Sequence, residues 1–358
     1  MATRRAQIVG TGLVGGSIGL ALRAQGWHVS GVEADPDRAA AALDAGVIDA
    51  EGWDPDAEVT FVATPVGAIV GAVVEALDRT AGLVTDVGSV KSPMLGLMAD
   101  PRYVGGHPMA GSELEGVAGA RADLFDGRTW VLTPVPGTDD AAFAALRSLV
   151  ASFGAEVVSL APEAHDAMVA LVSHVPHLTA ATLMRLADGR AAEHGSLLRL
   201  AAGGFRDMTR IAAGHPGIWP DICAENRDAI VGELDELIAN LGEVRRIVAD
   251  GDRVALVVWL EQARAARLNL PARYARPDLL SELRVPIPDR KGEVARIATL
   301  AATVDVSLAD IEIAHSAEGD QGVLILLVET DEAPRLEAAL VAEGYRPSLR
   351  SLEQGAPG

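Results

Sequence analysis

The sequence of 358 residues contains one cysteine, Cys223. Because a disulfide needs two cysteines, no intrachain disulfide can form, and a reducing compartment is the default. Long apolar runs are also lacking, and none approaches the roughly 20 residues of a membrane span. The apolar run that follows Arg4 and Arg5 breaks at Gly10, too early for a signal peptide. These absences predict a cytoplasmic protein that does not enter a membrane.

Basic side chains are scarce: 30 lysines and arginines stand against 50 acidic residues, which gives a formal net charge of -20. Nucleic acids and anionic membranes both require a clustered basic surface, so neither is an expected partner. An anionic substrate would need a local basic pocket. The hydrophobic fraction of 49% and the charged fraction of 22% are typical of an ordered globular protein, and the length allows two or three domains.

A glycine-rich turn follows the first predicted strand, residues 6–9, and a helical pattern comes directly after it. This G-x-G-x-x-G pattern between strand and helix is typical of dinucleotide binding. Gly10 permits the tight turn, Gly12 lets a pyrophosphate approach the backbone, and Gly15 lets the helix pack closely on the strand. The free N–H groups at the helix start attract the phosphates. The predicted cofactor contacts here are Gly10, Gly12, Leu13, Val14 and Gly15.

The second predicted strand ends at Glu33, about 20 residues after the glycines, where the dinucleotide fold places an acidic residue on the ribose hydroxyls. A carboxylate there would repel a 2′-phosphate, so the sequence predicts NAD rather than NADP. Two alternatives stay open. Glu33 could be a solvated strand end, and Arg38 could serve a 2′-phosphate.

Strands alternate with helices up to residue 161, which predicts a parallel, doubly wound sheet with right-handed crossovers. The last of these strands are predicted at 103–106, 129–134 and 156–160. Ligands of such sheets bind beyond the carboxyl ends of the strands. Four candidate ligand-site residues fall there: Thr64, Pro65, Ser89 and His107. His107 lies in a short glycine-bounded loop; by itself it could equally be a surface residue.

From Pro162 to about residue 273 the periodicity changes to 3.6 and strand signals vanish, which predicts a helical region. Arg206 and Arg210 are four apart and would share a helix face. They could bind carboxylates in bidentate fashion or form a solvated face. His174 and His177 are three apart, but nothing completes a metal-binding motif, so no metal is predicted.

The last part of the chain reads strand, helix, strand, strand, helix, strand, which is a ferredoxin-like order. The predicted fold class is therefore α/β with three parts: a Rossmann doubly wound domain at 1–161, an all-helical substrate and dimerisation domain at 162–275, and a βαββαβ domain at 279–354. Helices with wide apolar faces, above all at 254–260, predict a homodimer formed by the helical domains.

Six motifs in the same order resemble the prephenate dehydrogenases, the enzymes of tyrosine biosynthesis, over about residues 5–270. The motifs are Val9–Ser17, Ala63–Val66, Asp86–Lys91, Gly106–Glu113, Ser173–His177 and Gly203–Ile211. Members of that family often have Asp in place of Glu33 and Lys in place of Arg206, which leaves cofactor and side-chain selectivity open. Val87 and Ser112 also depart from the usual Gln and Thr.

The resemblance implies NAD-dependent oxidative decarboxylation of prephenate to 4-hydroxyphenylpyruvate. His107, with a pKa near its ordinary value, would accept the 4-hydroxyl proton as a neutral imidazole, and Ser89 would fix its tautomer or touch the substrate. Arg210 would hold a substrate carboxylate. The other implied substrate contacts are His177, Arg206, Ser112 and Glu113. Glu113 could instead be a first-turn helix carboxylate, and Ser89 a turn cap.

Four other histidines and one tryptophan are assigned structural or surface roles. His174 is expected to be structural, and Trp219 to lie in a core rather than near the site. The histidines expected at the surface or as caps are His165, His194 and His215.

The C-terminal domain resembles an ACT domain, a fold that commonly pairs and binds amino acids. Its ligand loop would include Asp289 and Gly292. Feedback by tyrosine would fit such a domain; the alternative is a role in assembly only.

Three rival functions stay open. Arogenate dehydrogenase, in the same family, acts on a substrate with an ammonium in place of the keto group. A 3-hydroxyacid dehydrogenase would use a lysine from the helical domain, and the chain has only Lys91 and Lys291. The third is a non-catalytic sensor of NAD and an amino acid.

Overall fold

The computed structural model describes residues 3–97, 100–112, 114, 116–191, 196–268, 280–288, 290, 292–315 and 321–351. The chain divides into two compact units, and the boundary lies between residues 259 and 260. The three domain boundaries that the sequence suggests remain predictions.

A five-stranded parallel sheet forms the N-terminal half of the first unit, with strand order β3-β2-β1-β4-β5. The doubly wound fold is thereby confirmed, since helices connect its parallel strands. Its central strands are buried on both faces, as their continuous apolar sequences predict. The elements are β1 (Arg5–Val9), α1 (Leu13–Ala24), β2 (His28–Val32), α2 (Pro36–Asp44), β3 (Ala50–Glu51), β4 (Val59–Val62), α3 (Val66–Arg79) and β5 (Leu83–Asp86).

A second sheet of three strands follows, with order β6-β7-β8. Its elements are β6 (Gly105–Pro108), β7 (Thr129–Thr133), α4 (Asp140–Ala151) and β8 (Glu156–Ser159). A parallel bridge between Val84 and Tyr103 connects this sheet to the edge of β5. β7 pairs with β8 in parallel, but β6 runs antiparallel to β7. The expectation of a wholly parallel sheet was therefore wrong at β6, because its described connection to β7 carries only the 3-10 turn Val117–Gly119 and no crossover helix.

The helical part of the first unit begins at Pro162, as the change of periodicity predicts. Its helices are α5 (Pro162–Val169), α6 (Val175–Ala191), α7 (Gly203–Thr209), α8 (Trp219–Glu225) and α9 (Arg227–Ala249). A further helix, α10 (Arg253–Leu268), begins in the first unit and continues past the boundary at residue 259. One turn of π-helix, Ala170–His174, joins α5 to α6. Pro176 is the second residue of α6, which begins directly after this π-helical turn.

The continuous helical stretch Pro162–Ala191 is long and apolar enough to cross a membrane, by length and composition alone. The amino-acid pattern predicts no run of that length; the stretch is continuous because the π-helical turn joins α5 to α6. The stretch also contains three buried polar side chains, His165, Asp166 and His174. Buried polar groups need hydrogen-bond partners, and these three have them, as described below.

The second unit contains a four-stranded antiparallel sheet with order β10-β11-β9-β12. Its elements are β9 (Leu280–Pro288), α11 (Glu293–Thr303), β10 (Leu308–His315), β11 (Gln321–Glu329), α12 (Ala333–Ala342) and β12 (Ser348–Ser351). Both helices pack on one face of the sheet through a core that includes Leu283, Ile297, Leu326 and Leu336. The predicted ferredoxin-like βαββαβ fold is confirmed.

Candidate active site

The glycine turn after β1 is shaped by close backbone contacts. Gly10 has φ +90°, and a Cβ there would lie 2.7 Å from the Ala63 carbonyl oxygen. A Cβ on Gly15 would lie 1.9 Å from the Gly10 carbonyl oxygen, so helix and strand touch where only glycine fits. Gly12 faces open space within 4 Å. Since α1 has no side-chain cap and no acidic residue in its first turn, its N–H groups can receive an anionic group.

Glu33 joins the end of β2 to this turn. Its Oε2 accepts hydrogen bonds from the Thr11 backbone N–H at 2.9 Å and from the Thr11 hydroxyl at 3.2 Å. Oε1 accepts from the backbone N–H of Ala34 at 3.0 Å. Arg38, on α2, is 75% exposed with its Nε 3.8 Å from an Asp35 carboxylate oxygen. Of these two candidates, Glu33 and Arg38, the one that contacts the glycine turn is therefore Glu33.

The end of β4 lies on the other side of the turn. Thr64 has a buried hydroxyl without a hydrogen-bond partner among the residues that the structure describes. Pro65 forms the N-cap of α3, while Leu13 and Val14 pack their side chains on the core below the turn. An open helix N-terminus, a glycine-only cradle and an unpaired hydroxyl fit a dinucleotide.

A buried ion pair supports the strand that carries His107. Lys91 and Asp86 are fully buried and in contact, and Lys91 Nζ donates to the Gly106 carbonyl oxygen at 2.7 Å. The Tyr103 hydroxyl donates to Asp86 at 2.7 Å. Burial lowers the pKa of Lys91, although Asp86 opposes that shift. This network ties the end of β5 to the residue before His107, so removing one partner would leave a buried charge uncompensated.

His107 takes part in a chain of hydrogen bonds that leads away from the site. Its Nδ1 lies 2.8 Å from Nε2 of His165, and Nδ1 of His165 lies 2.8 Å from Oδ1 of Asp166. His165 is fully buried, so the expectation of a surface or capping residue was wrong. In contrast, His215 is exposed and caps the 3-10 turn Pro216–Ile218, as expected.

The pKa of His107 lies well below the ordinary value of a histidine. Burial is the largest cause, and the neighbouring His165, Lys91 and His174 add to it. The expectation of a pKa near the ordinary value was therefore wrong, because the sequence reveals neither the burial of this ring nor the positive or potentially positive groups around it. A lowered pKa keeps the imidazole neutral at neutral pH and able to accept a proton.

His174 lies at the end of the π-helical turn and is buried. Its Nδ1 is 3.2 Å from the side-chain nitrogen of Asn226, which also donates to the Asp166 carbonyl oxygen at 2.9 Å. Burial is the main cause that lowers the pKa of His174 to about 4. π-Helical turns are rare and occur frequently at functional sites.

His177 lies on α6, with its ring stacked on the indole of Trp219 at a centroid distance of 3.7 Å and an interplanar angle of 15°. The ring of His174 meets the same indole edge-on at 6.1 Å. Trp219 is half-buried, so its expected place in a core was wrong. Burial lowers the pKa of His177.

The two arginines do not continue one α-helix as expected. α7 ends at Thr209, whose hydroxyl bonds back to the Phe205 carbonyl oxygen at 2.8 Å, and Arg210 begins the 3-10 turn Arg210–Ala213. Both arginines have exposed side chains, and Arg206 Nε donates to the Ala201 carbonyl oxygen at 3.0 Å. The 3-10 turn packs against α6, the helix that carries His177.

The other predicted site residues that the structure describes lie outside the hydrogen-bond chain of His107. Ser89 is half-buried in the loop after β5. Ser112 is exposed, and its hydroxyl accepts from the Leu114 backbone N–H at 3.1 Å, which closes a local turn. Gly292 has φ +90° and precedes α11 in the second unit. The predictions for Glu113, His194 and Asp289 fall outside the described residues.

Sequence reasoning missed His165, Asp166 and the buried role of Lys91. A signal was present for the first two, because the buried residues of α5 follow a helical spacing of i, i+3, i+4 and i+7. A polar residue on a buried helix face is unusual and therefore indicates a specific structural or functional role. The members of this buried face are Pro162, His165, Asp166 and Val169.

Comparison with known proteins gives consistent results for both parts of the first unit. A sequence model described as "Prephenate dehydrogenase, nucleotide-binding domain" matches residues 18–159, and one described as "Prephenate dehydrogenase, dimerization domain" matches residues 161–262. The prephenate dehydrogenase of Bacillus subtilis is 34% identical over 343 residues, which is 91% of this chain and 92% of that protein.

Solved structures agree with this comparison. The prephenate dehydrogenase of Aquifex aeolicus, in complex with hydroxyphenyl propionate and NAD+, has 27% identity and a TM-score of 0.70 over 76% of this chain and 99% of that one. The arogenate dehydrogenase of Synechocystis has 28% identity and a TM-score of 0.65 over 74% of this chain and 98% of that one. By its two domain matches and its similarity over almost the whole length, the chain belongs to the prephenate dehydrogenase family.

Proposed function

We propose that this protein is an NAD-dependent dehydrogenase that converts prephenate to 4-hydroxyphenylpyruvate, with His107 as the base. The observation that carries the proposal is the hydrogen-bonded placement of His107 on β6, next to the end of β5 in a dinucleotide-binding fold. Its lowered pKa supports the role, because a base must be unprotonated before the reaction.

The chemistry needs few groups. NAD, when bound, supplies the acceptor for the hydride of the hydroxyl-bearing ring carbon. His107 accepts the hydroxyl proton while the opposite ring carbon loses CO2, and the aromatic product provides the driving force. Gly12 and the open N-terminus of α1 would hold the pyrophosphate, Gly10, Gly15, Thr64 and Pro65 shape the cradle, and Glu33 would bind the ribose hydroxyls.

Substrate carboxylates require cationic partners, and the helical part supplies arginines. Arg210 holds one carboxylate, supported by its place on a turn that packs against α6. His177 faces the substrate from α6, and Arg206 has a weaker role because its Nε is engaged with a backbone carbonyl. Ser112 and Glu113 complete the predicted substrate contacts, and Ser89 is the second predicted catalytic residue.

The protein forms a homodimer through its helical part. α9 exposes four apolar side chains in a near-heptad spacing, which is typical of a helix that packs against another. They are Val231, Ile238, Leu241 and Val248. α10 adds Val254, which is 76% exposed, together with Val257 and Val258. The same segment matches the family's dimerisation domain, which favours a second copy over lipid as the partner of these apolar surfaces.

The C-terminal unit responds to tyrosine, with Asp289 and Gly292 in the effector loop. Its ferredoxin-like fold and the left-handed backbone of Gly292 at the start of α11 support this assignment. Cytoplasmic localisation follows from the biosynthetic role.

The test is NADH formation by the full-length protein with prephenate and with arogenate, each with and without tyrosine. We expect higher kcat/KM with prephenate and inhibition by tyrosine. Higher kcat/KM with arogenate would assign the activity of the Synechocystis relative instead. NAD binding without turnover of either substrate would refute the enzyme and support a sensor.

A further inference from the structure

Asp166 is the fixed end of the hydrogen-bond chain that starts at His107. Its Oδ1 accepts from the Lys91 backbone N–H at 2.8 Å, and its Oδ2 accepts from the Ser92 backbone N–H at 2.7 Å and from the Ser92 hydroxyl. The backbone of Asp166 is held as well, because Asn226 donates to its carbonyl oxygen at 2.9 Å. These bonds anchor the Asp166 end of the chain to the loop after β5.

The charge state of Asp166 follows from these donors. Burial by itself would raise the pKa of Asp166, but hydrogen bonds from His165, the Ser92 hydroxyl and two backbone N–H groups outweigh it and lower the pKa. Asp166 is therefore a carboxylate and can only accept hydrogen bonds.

The tautomers of both histidines then follow by donor and acceptor matching. Nδ1 of His165 must carry the proton that Asp166 accepts, so Nε2 of a neutral His165 is an acceptor. Nδ1 of His107 must in turn carry the proton that His165 accepts, which leaves Nε2 of His107 with its lone pair free.

From this chain of contacts we infer that His165 and Asp166 are positioning residues, which hold His107 in the one neutral tautomer whose Nε2 can take a proton from the substrate. The inference rests on the proposed role of His107 and names the groups through which that role is set up. His165 acts through His107 and does not itself touch the substrate.

The same chain gives the accepted proton a second place to reside. The substrate hydroxyl proton goes to Nε2 of His107, and the Nδ1 proton of His107 can pass to Nε2 of His165. The positive charge then lies on His165 beside the Asp166 carboxylate, and no other reactant is needed. Around His107 itself the charged or titratable neighbours are Lys91, His165 and His174, which all disfavour a positive charge there.

The test compares two substitutions of one buried residue. His165→Phe keeps an aromatic ring but removes the acceptor for His107, whereas His165→Gln can place an amide oxygen close to the position of Nε2. We expect kcat to fall by about 100- to 10,000-fold in His165→Phe, as when the tautomer of a catalytic histidine is wrong. The kcat of His165→Gln should be at least about tenfold higher than that of His165→Phe. The NAD affinity and the KM should be nearly unchanged in both variants.

A second readout does not depend on activity. 15N NMR of histidine-labelled protein, with the His107 signals assigned by their loss in His107→Asn, should show a protonated Nδ1 and an unprotonated Nε2 in the parent protein. His165→Phe should shift His107 toward the other tautomer. The matched control is His28→Phe at the start of β2, which should leave both kcat and the His107 signals unchanged.

The outcomes separate this inference from the proposed function. A parent protein without turnover of prephenate or arogenate would refute the function, while the NMR spectra would still test the tautomer. An unchanged kcat and unchanged His107 signals in His165→Phe would overturn the inference. Equal losses in the Phe and Gln variants, with a lower melting temperature and an unchanged tautomer, would also overturn it, because they indicate a purely structural role.

Discussion

His177 and Trp219 form a stacked pair, with ring centroids 3.7 Å apart and an angle of 15° between the planes. The histidine comes from α6 and the tryptophan from the start of α8, so the pair joins two helices of the first unit. Stacking fixes the plane of the imidazole and leaves its edge nitrogens available to a ligand.

The stacked pair predicts that Trp219→Ala raises KM for prephenate. Aromatic pairs contribute about 0.5–1.5 kcal/mol beyond buried area, so we expect a rise of about 2- to 12-fold with a smaller effect on kcat. Trp219→Phe preserves a stacking partner and serves as the matched variant. Steady-state kinetics check this, and a KM for Trp219→Ala equal to that of the parent protein would remove His177 from the proposed substrate contacts.

The carboxylate of Glu33 predicts a preference for NAD over NADP. Glu33→Gln keeps an acceptor oxygen for Thr11 but removes the charge that would repel a 2′-phosphate. We expect the ratio of kcat/KM for NADP to that for NAD to rise by about tenfold or more, because juxtaposed like charges are costly. Glu75→Gln, on an exposed face of α3, is the control. An unchanged ratio in Glu33→Gln would favour a solvated strand end over a ribose contact.

The lowered pKa of His107 predicts where activity is lost at acid pH. The free enzyme needs a neutral His107, so kcat/KM should be constant near neutrality and fall only well below pH 6.5. A pH–rate profile of kcat/KM measures this directly. A midpoint at or above pH 6.5 would contradict an imidazole that burial, His165, Lys91 and His174 hold neutral.

The same shifts predict a loss of stability on acidification. In the unfolded chain His107 and His174 take up protons near pH 6.5. In the folded protein their pKa values are lowered, that of His174 to about 4, so both resist protonation. Because the unfolded state binds more protons in this range, the free energy of unfolding falls as the pH drops from about 6.5 toward 4. Denaturant unfolding at several pH values checks the sign, and rising stability over this range would be inconsistent with it.

The apolar surfaces of α9 and α10 predict a dimer that charge can dissociate. Val254 and Val258 are four apart on α10, 76% and 53% exposed, so replacing both with aspartate removes no described core contact. Light scattering after size exclusion should give the mass of two chains for the parent protein and one for the double variant, with circular dichroism unchanged. Glu243→Gln on α9 is the control, and a double variant of unchanged mass would exclude this surface from the interface.

The sequence allowed much of the fold to be predicted, because periodicity and glycine patterns are local. The turn from Gly10 to Gly15 and the C-terminal βαββαβ order could be read from neighbouring residues alone. The antiparallel direction of β6 could not, since it depends on how the chain returns to β7 after residue 108. Nor could the end of α7 at Thr209, where the chain passes into the 3-10 turn that packs against α6.

The site was only partly predictable for a related reason. His107 was recognisable from its loop and its motif, but its partner His165 is 58 residues away and comes from another element. Its contact with His107 and the burial of Lys91 are tertiary facts that no local pattern encodes. The helical spacing that buries Asp166 was visible in the sequence, and it is the feature that could have revealed the network.

The most direct measurement is NADH formation from prephenate by His107→Asn beside the parent protein. The asparagine amide can still donate to His165, so the variant should fold and bind NAD with unchanged affinity, yet it has no nitrogen base. We expect turnover to fall by about 100- to 10,000-fold, the range for loss of a general base. A rate within about threefold of the parent protein would contradict the account, since proton transfer would then not pass through His107.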